Sequence, residues 1–144
     1  MNDDPFQLRR FVEAQRGTYE QARAELAAGE KQSHWMWFIF PQIQGLGSSS
    51  MAQRYAITSL AEARAYLAHP VLGERLRDCT SLVNATEGRT LEEIFGYPDD
   101  LKFHSSATLF ARADETSAGV FRTALERYFQ GREDSGTVKR LTAS

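Results

Sequence analysis

Apolar residues recur along most of the chain at the three- and four-residue spacing of amphipathic helices. The stripes with this spacing are Leu8-Phe11-Val12, Tyr19-Ala22-Leu26, Leu60-Ala63-Leu67, Leu72-Leu76-Cys79-Val83 and Phe121-Leu125-Tyr128. Alternation with period two, which is typical of a half-buried strand, is nearly absent. The pattern predicts an all-α protein with one compact domain over residues 1–144, about seven or eight helices, and no sheet of more than two short strands.

Residues that are typical of helix ends frame these stripes. A Ser or Thr is followed three residues later by Glu or Gln at three places, which predicts capping boxes: Thr18 and Gln21, Ser59 and Glu62, Thr90 and Glu93. Pro5 and Pro98 fit the first turns of two helices, and the helix after Pro98 is expected to run to about residue 112. Glycines at positions 17, 29, 96 and 131 follow the stripes as stops, and Asp134 is placed to cap a terminal helix.

The segment 35–43 is open to two interpretations. It is dense in β-forming residues, which favours a strand, but Pro41 interrupts it. Ser33 is placed to cap a short helix over residues 34–40 instead. We favour the helix, because no second strand of similar quality exists to accept the hydrogen bonds of a lone strand.

Composition narrows the class of protein. Aromatic residues make up 11% of the chain, which argues against disorder, and the net charge of −2 does not suggest a nucleic-acid partner. A single cysteine fits a reducing compartment, and the acidic N-terminus does not resemble a signal peptide. The longest apolar run, residues 35–41, is too short for a membrane helix. We therefore expect a cytoplasmic protein with no membrane contact, while its oligomeric state stays open.

Common catalytic and metal-binding patterns are missing. The histidines at positions 34, 69 and 104 share no metal-ligand spacing, so no metal site is predicted. Gly45-Leu46-Gly47 lacks the Gly-Lys-Ser/Thr that completes a phosphate loop, and no cofactor is predicted. Cys79 lies on an apolar stripe, which indicates a buried, inert thiol. Asp99 fits the first turn of a helix, where a carboxylate is stabilised by the helix dipole.

Two segments carry more polar and aromatic chemistry than packing needs. Both tryptophans and two phenylalanines fall within residues 35–40, and polar side chains flank them. Binding pockets have this character, although a central core segment would also explain it. The helix around Lys102 is apolar on two sides, which predicts a central, largely enclosed position with polar seams of Lys102 with Ser106 and His104 with Thr108. Lys102 is also open to interpretation as an ordinary surface lysine.

Three stretches resemble a bacterial family of unknown function that is often labelled calpastatin-like. They are SHWMWFIFPQIQGLGSSSMAQRY over residues 33–55, HPVLG over residues 69–73, and the stretch 94–110 from IFG through KF to its last phenylalanine. The resemblance covers nearly the whole chain and implies a compact, mainly helical fold, but no established activity, substrate or catalytic residue. Calpastatin-type inhibitors are disordered, proline-rich and repetitive, whereas this chain has four prolines and no repeat. We do not predict calpain inhibition.

Two classes of function follow, and the sequence leaves open whether the protein is an enzyme. The first is binding of a small polar or nucleotide-like ligand in an aromatic-lined cleft, with a tryptophan stacked on a base and Lys102 or Arg54 near a phosphate. A loose similarity of layout to helical hydrolases of ADP-ribose-type N-glycosides favours nucleotide-like ligands. The candidate ligand-binding residues are His34, Trp35, Trp37, Gln42, Arg54, Lys102, His104 and Ser106. The alternative is a protein-interaction or structural module in which the aromatic residues are core.

Overall fold

The fold, given by a computed structural model, is described for residues 4–115 and 119–142. Helices dominate these residues, and none of the helices described is long and apolar enough to cross a membrane. In chain order they are α1 (Arg9–Gln15), α2 (Tyr19–Ala27), α3 (Met36–Ile39), α4 (Ser50–Arg54), α5 (Leu60–Ala68), α6 (Leu72–Ala85), α7 (Leu91–Phe95), α8 (Asp99–Ala113), α9 (Val120–Phe129) and α10 (Ser135–Thr142). The all-α class is confirmed.

The predicted number of helices was too low, because the described residues form ten rather than seven or eight. The unforeseen helix is α4, which follows the glycine- and serine-rich stretch 45–50. None of its five residues is buried, so it has no apolar stripe to reveal it. Its beginning is fixed by Ser49, whose Oγ accepts a hydrogen bond from the backbone N–H of Ala52 at 3.1 Å.

The ambiguous segment 35–43 contains both a helix and extended chain. Only Met36–Ile39 is helical, and the chain then runs beside residue 57 as a single isolated parallel bridge between Ile43 and Ile57. The Ile57 N–H donates to the carbonyl of Gln42 at 2.9 Å, and the Gln44 N–H donates to the Ile57 carbonyl at 2.8 Å. This bridge is the nearest approach to a sheet in the part of the chain that the structure describes.

The predicted capping boxes differ in outcome. Thr90 and Glu93 form a complete box, with each side chain bonded to the other residue's backbone N–H. Ser59 accepts from the Glu62 N–H at 3.1 Å, but the Glu62 carboxylate binds elsewhere. Thr18 makes no side-chain cap at the start of α2. A box therefore forms where no tertiary partner competes for the acidic side chain.

Helix α8 lies at the centre of the fold and packs against α5, α7, α9 and α10. Its middle is buried, as predicted: the Phe110 ring lies 5.3 Å from the Tyr66 ring and 5.8 Å from the Phe121 ring, measured between centroids. Its first turns reach the surface, where Leu101 is 52% exposed. One helix therefore supplies core residues along most of its length and accessible residues at its beginning.

Candidate functional site

The turn before α3 is held by one carboxylate. Glu25 accepts hydrogen bonds from the Gln32 N–H at 2.7 Å, the Ser33 N–H at 3.0 Å and the Ser33 hydroxyl at 2.6 Å. The indole N–H of Trp35 donates to the same group at 3.0 Å. Burial raises the pKa of Glu25, but these hydrogen bonds outweigh it and lower the pKa to about 2. The carboxylate thereby fixes where α3 begins.

The two tryptophans have different surroundings. Trp35 is 0% exposed, its N–H is paired with Glu25, and its ring lies 6.2 Å from the Phe40 ring. Trp37, two residues later, is only partly buried. Its ring centroid lies 5.6 Å from the Lys102 ammonium, and its N–H has no hydrogen-bond partner among the described residues. Trp35 is therefore a packing residue, whereas Trp37 keeps part of its ring accessible and has an indole N–H without an acceptor among the described residues.

Trp37 lines an open cleft of about 460 Å³ beside the first turns of α8, which we call the α8 cleft. Its walls are formed by the aromatic segment 35–43, the glycine- and serine-rich stretch 45–50, α8 and the beginning of α10. The lining residues are Trp37, Gln42, Leu46, Gly47, Ser48, Ser49, Ala52, Pro98, Leu101, Lys102, Ser105, Asp134 and Gly136. This volume is within the range of sites that hold small molecules.

Local packing explains the glycine in the cleft wall. A Cβ on Gly47 would lie 2.7 Å from the Cβ of Ala52, so a larger residue would push the loop away from α4. The same stretch of loop borders a second cavity of about 270 Å³, which also touches Trp37 and Gln42. Trp37 and Gln42 thus line both cavities.

Hydrogen-bonding groups with unused capacity face the α8 cleft. The backbone carbonyl of Gln42 is held by the bridge to residue 57, while its side-chain amide has no partner among the described residues. Asp134 Oδ2 accepts from the Ser105 hydroxyl at 3.0 Å, the Thr137 N–H at 3.1 Å and the Thr137 hydroxyl at 2.7 Å. Within residues 4–115 and 119–142, Asp134 Oδ1 has no donor.

A cluster of charges flanks the cleft at the beginning of α8. The ammonium of Lys102 lies 3.3 Å from Asp99 Oδ1, and the ammonium of Lys31 lies 2.9 Å from Asp99 Oδ2. The Lys31 side chain is only 8% exposed, and its ammonium lies 5.1 Å from the centroid of the Trp35 ring. Two cations therefore share one carboxylate, and the cluster has a net charge of +1.

Three of the eight candidate ligand-binding residues come together in the α8 cleft. They are Trp37, Gln42 and Lys102. His34 and Arg54 are exposed and do not line this cleft. The Arg54 guanidinium lies 5.5 Å from the centroid of the neighbouring tyrosine ring.

The other candidates are engaged in packing. Trp35 is in the core, as described above. His104 stacks on Phe129 with centroids 3.7 Å apart, and its Nε2 lies 2.9 Å from the Arg132 carbonyl oxygen. Ser106 is buried, and its hydroxyl has no hydrogen-bond partner within the described part of the chain. His104 and Ser106 lie on α8 close to Lys102 in sequence, but their side chains have other surroundings than the cleft.

Sequence reasoning missed four residues of the site: Lys31, Asp99, Ser105 and Asp134. Asp99 and Asp134 were assigned to helix beginnings, and both do lie there. Their contacts at the site, Asp99 with Lys31 and Asp134 with Ser105, join residues that are far apart in the sequence. The scarcity of lysine was the available signal for Lys31, because the chain has only three.

Cys79 is buried, and burial together with the nearby charge of Asp78 raises its thiol pKa to about 12. Both observations agree with a structural thiol. The described residues contain no group of three or more His, Cys, Asp or Glu that suits a metal ion.

Comparison with known proteins identifies the family. A family described as a protein of unknown function, DUF1810, matches residues 5–141. The chain belongs to this family. It is also similar to the crystal structure of the conserved hypothetical protein Rv1873 from Mycobacterium tuberculosis, with 56% sequence identity and a TM-score of 0.94 over 98% of this chain and 100% of that chain. A search of curated proteins gives no match. The family membership predicted from residues 33–55, 69–73 and 94–110 is confirmed.

Proposed function

We propose that the α8 cleft binds a small polar ligand with a planar ring, of which a nucleotide-like compound is the best-fitting class. The observation that carries the proposal is the grouping of unpaired polar groups around a partly exposed indole. The groups are the Trp37 N–H, the Gln42 amide and Asp134 Oδ1, and all three residues line the same cleft. Small-molecule sites typically combine an aromatic or apolar wall with a few convergent polar groups.

Each group has a role that suits such a ligand. The Trp37 ring offers a stacking surface, and a base stacked on an aromatic side chain contributes about 1–3 kcal/mol. The Gln42 amide both donates and accepts, so it can pair with the edge of a heterocycle. Lys102 adds a positive charge on the same side of the cleft. Ring, edge and charge are the features that distinguish nucleotide-like compounds from apolar ligands.

Comparison with Trp35 favours ligand binding over packing as the role of Trp37. The buried indole of Trp35 has a hydrogen-bond acceptor in Glu25, as buried polar atoms require. Trp37 has no such acceptor among the described residues and keeps part of its surface accessible. A residue retained for packing alone would gain stability from further burial, because burial of aromatic surface is favourable.

A thermal-shift screen tests the proposal with nucleobases, nucleosides, nucleotides and unrelated apolar compounds as probes. A ligand present at about 100 times its Kd stabilises the folded state by about 2.7 kcal/mol. For a chain of this length that corresponds to a rise in Tm of roughly 5–10 °C. We expect this rise with at least one planar-ring compound and with none of the apolar compounds.

Two variants and one control connect the shift to the cleft. Trp37→Leu and Lys102→Met should remove or strongly reduce the rise in Tm while preserving the far-UV circular dichroism spectrum. Lys139→Met is the matched control, because Lys139 is exposed on α10 and does not line the cleft. A Tm that no planar-ring compound raises, or a rise that survives Trp37→Leu, would show that the proposal is wrong.

A protein-interaction module remains the second candidate, and one observation favours it. Tyr97 is 74% exposed and Leu101 is 52% exposed, and Leu101 lies at the cleft rim. Large exposed apolar side chains close together are typical of contact surfaces. This function predicts no response in the ligand screen. It also predicts self-association in sedimentation velocity that Leu101→Ser abolishes, and a monomeric wild type would count against a surface for self-association.

A further inference from the structure

We propose that the ligand of the α8 cleft carries a single negative charge, and that this charge competes with Asp99 for the ammonium of Lys102. The inference rests on the proposed function, because it specifies the chemical class of the ligand in the same cleft. The ligand is then a planar-ring compound that bears one monoanionic group, such as a carboxylate or a phosphodiester.

The geometry of the cluster provides the first argument. Each carboxylate oxygen of Asp99 pairs with one lysine. Oδ2 lies 2.9 Å from the Lys31 ammonium, and Oδ1 lies 3.3 Å from the Lys102 ammonium. The shorter contact belongs to the enclosed lysine, which also faces the Trp35 ring at 5.1 Å. The Lys102 side chain is 31% exposed and lines the cleft. The contact with Lys102 is therefore the one that a ligand can reach and replace.

The balance of charge provides the second argument. Lys31 and Lys102 contribute two positive charges and Asp99 contributes one negative charge, so these three residues carry one net positive charge before the Asp134 carboxylate, which lines the same cleft, is counted. Lys31 is enclosed, so the excess is accessible only at Lys102. A monoanion neutralises these three residues and meets an ammonium whose ion-pair partner, among the residues that the structure describes, is a single carboxylate oxygen. Charge-assisted hydrogen bonds of this kind are stronger than neutral ones.

The carboxylate of Asp134 limits how much negative charge the cleft accepts. Asp134 lines the same cleft as Lys102, and its Oδ1 is open. Asp134 repels any anion in the cleft, but a dianion would be repelled about twice as strongly as a monoanion and would also exceed the positive charge of the cluster, because the Coulomb energy scales with the product of the charges. A ligand with one negative charge and a separate N–H or O–H donor satisfies Lys102 and Asp134 together.

Matched pairs of probes test the inference. Nicotinamide with nicotinate compares a neutral ring with a carboxylate, and adenosine with 3′,5′-cyclic AMP compares a neutral ring with a phosphodiester. We expect at least one monoanion to bind about tenfold more tightly than its neutral partner in calorimetric titrations, as one added ion pair in a partly buried site would give. The pair that shows the preference identifies the anionic group. AMP, which is largely a dianion at neutral pH, should gain nothing over 3′,5′-cyclic AMP.

Substitution of Asp99 gives the most specific expectation. Asp99→Asn removes the competing charge, so the monoanion should bind severalfold more tightly while the affinity for its neutral partner stays the same. Asp100→Asn is the matched control, because it removes one negative charge from the same helical turn and Asp100 forms no ion pair with either lysine in the described structure of residues 4–115 and 119–142. Lys102→Met should abolish the preference for the anion. This variant keeps the pair of Lys31 with Asp99, so it tests the inference even where Asp99→Asn lowers stability.

Lysine side-chain NMR locates the bound charge. The chain has three lysines, so a sample labelled at lysine ¹³Cε gives three resolvable sites, with Lys139 as the internal control. Monoanion titration should shift the Lys102 signal most and the Lys139 signal least. Equal affinity for both members of each pair, tighter binding by the dianion, or weaker anion binding in Asp99→Asn than in Asp100→Asn would each overturn the inference.

Failure of this inference can be distinguished from failure of the proposed function. Neutral ring compounds that raise the Tm through Trp37 would uphold the proposed function even where no anion is preferred. If no member of either pair binds the wild type or Asp99→Asn, the inference is overturned. The proposed function is then decided by the wider thermal-shift screen.

Discussion

Glu25 provides a direct test of how the turn before α3 is stabilised. Its Oε1 accepts from the Gln32 N–H, the Ser33 N–H and the Trp35 indole N–H, and its Oε2 accepts from the Ser33 hydroxyl and the Gln21 amide. Trp35 is 0% exposed, so loss of the acceptor leaves its buried indole N–H without a hydrogen-bond partner. A buried group left unpaired costs about 1–3 kcal/mol, so we expect Glu25→Ala to lower the free energy of unfolding by about 2–4 kcal/mol.

Glu25→Gln isolates the contribution of the charge. Glutamine can keep the oxygen that serves three donors, so the expected loss at neutral pH is smaller, about 1–2 kcal/mol after allowance for partial solvent exposure. The pKa of Glu25 is lowered from its ordinary 4.5 to about 2. A carboxyl group with a lowered pKa in the folded state contributes stability that is present above the unfolded pKa and is lost as pH falls through the folded one. The difference between wild type and Glu25→Gln should therefore shrink from pH 4.5 towards pH 2.

Urea unfolding followed by circular dichroism measures these differences at a series of pH values. Glu30→Gln is the matched control, because Glu30 is an exposed carboxylate shortly after α2 and its substitution should change stability little. A gap between wild type and Glu25→Gln that stays constant from pH 6 to pH 3 would refute the assignment of the stabilisation to the ionised carboxylate.

Two further predictions concern other buried groups. Native protein should react slowly with a thiol reagent, because Cys79 is buried and its pKa is raised to about 12; labelling as fast as in urea would contradict this. Glu62→Gln should lower the free energy of unfolding by about 3 kcal/mol in urea titrations, because the Glu62 side chain is 2% exposed and pairs with Arg10 at 2.9 Å. A loss below about 0.5 kcal/mol would show that the ion pair contributes little, as exposed pairs do.

The long helices were predictable because each presents an apolar stripe to the core. The stripe of Leu72, Leu76, Cys79 and Val83 is buried along α6, as its spacing indicates. Helix α4 was not predictable, because it buries none of its residues and therefore leaves no period in the sequence. Short elements of this kind are fixed by caps and tertiary packing, which a pattern of polarity does not record.

The side-chain caps predicted at Thr18 and Ser33 do not form, because the side chains concerned bind another partner. Thr18 and Gln21 have the sequence of a capping box, but the Gln21 amide donates to Glu25 at 3.1 Å and to the Ser33 hydroxyl at 3.1 Å. The Ser33 hydroxyl donates to Glu25 and does not cap the beginning of α3. Both side chains bond to the Glu25 carboxylate, which lies four residues after Gln21 and eight before Ser33, because hydrogen bonds to a charged acceptor are stronger.

The site was predictable only in part, because the sequence does not show which of two neighbouring aromatic residues is buried and which is accessible. Trp35 and Trp37 are separated by one residue and share the same composition of neighbours, yet one is enclosed and the other lines the α8 cleft. What separates them is the acceptor at Glu25, ten residues before Trp35 in the chain. Lys31 and Asp99 come together across an even longer separation, through the packing of the α2–α3 connection against the beginning of α8.

The position of the cleft on α8 has a consequence for function. The helix supplies Phe103 and Phe110 to the core, whereas Lys102 is accessible at its first turns. A substitution on the accessible side removes little buried surface, so its cost to stability is small compared with that of a core phenylalanine. On the proposed function, ligand recognition can therefore change at Lys102 without loss of the fold. For the same reason, a loss of binding in Lys102→Met with unchanged unfolding would be evidence about recognition rather than about folding.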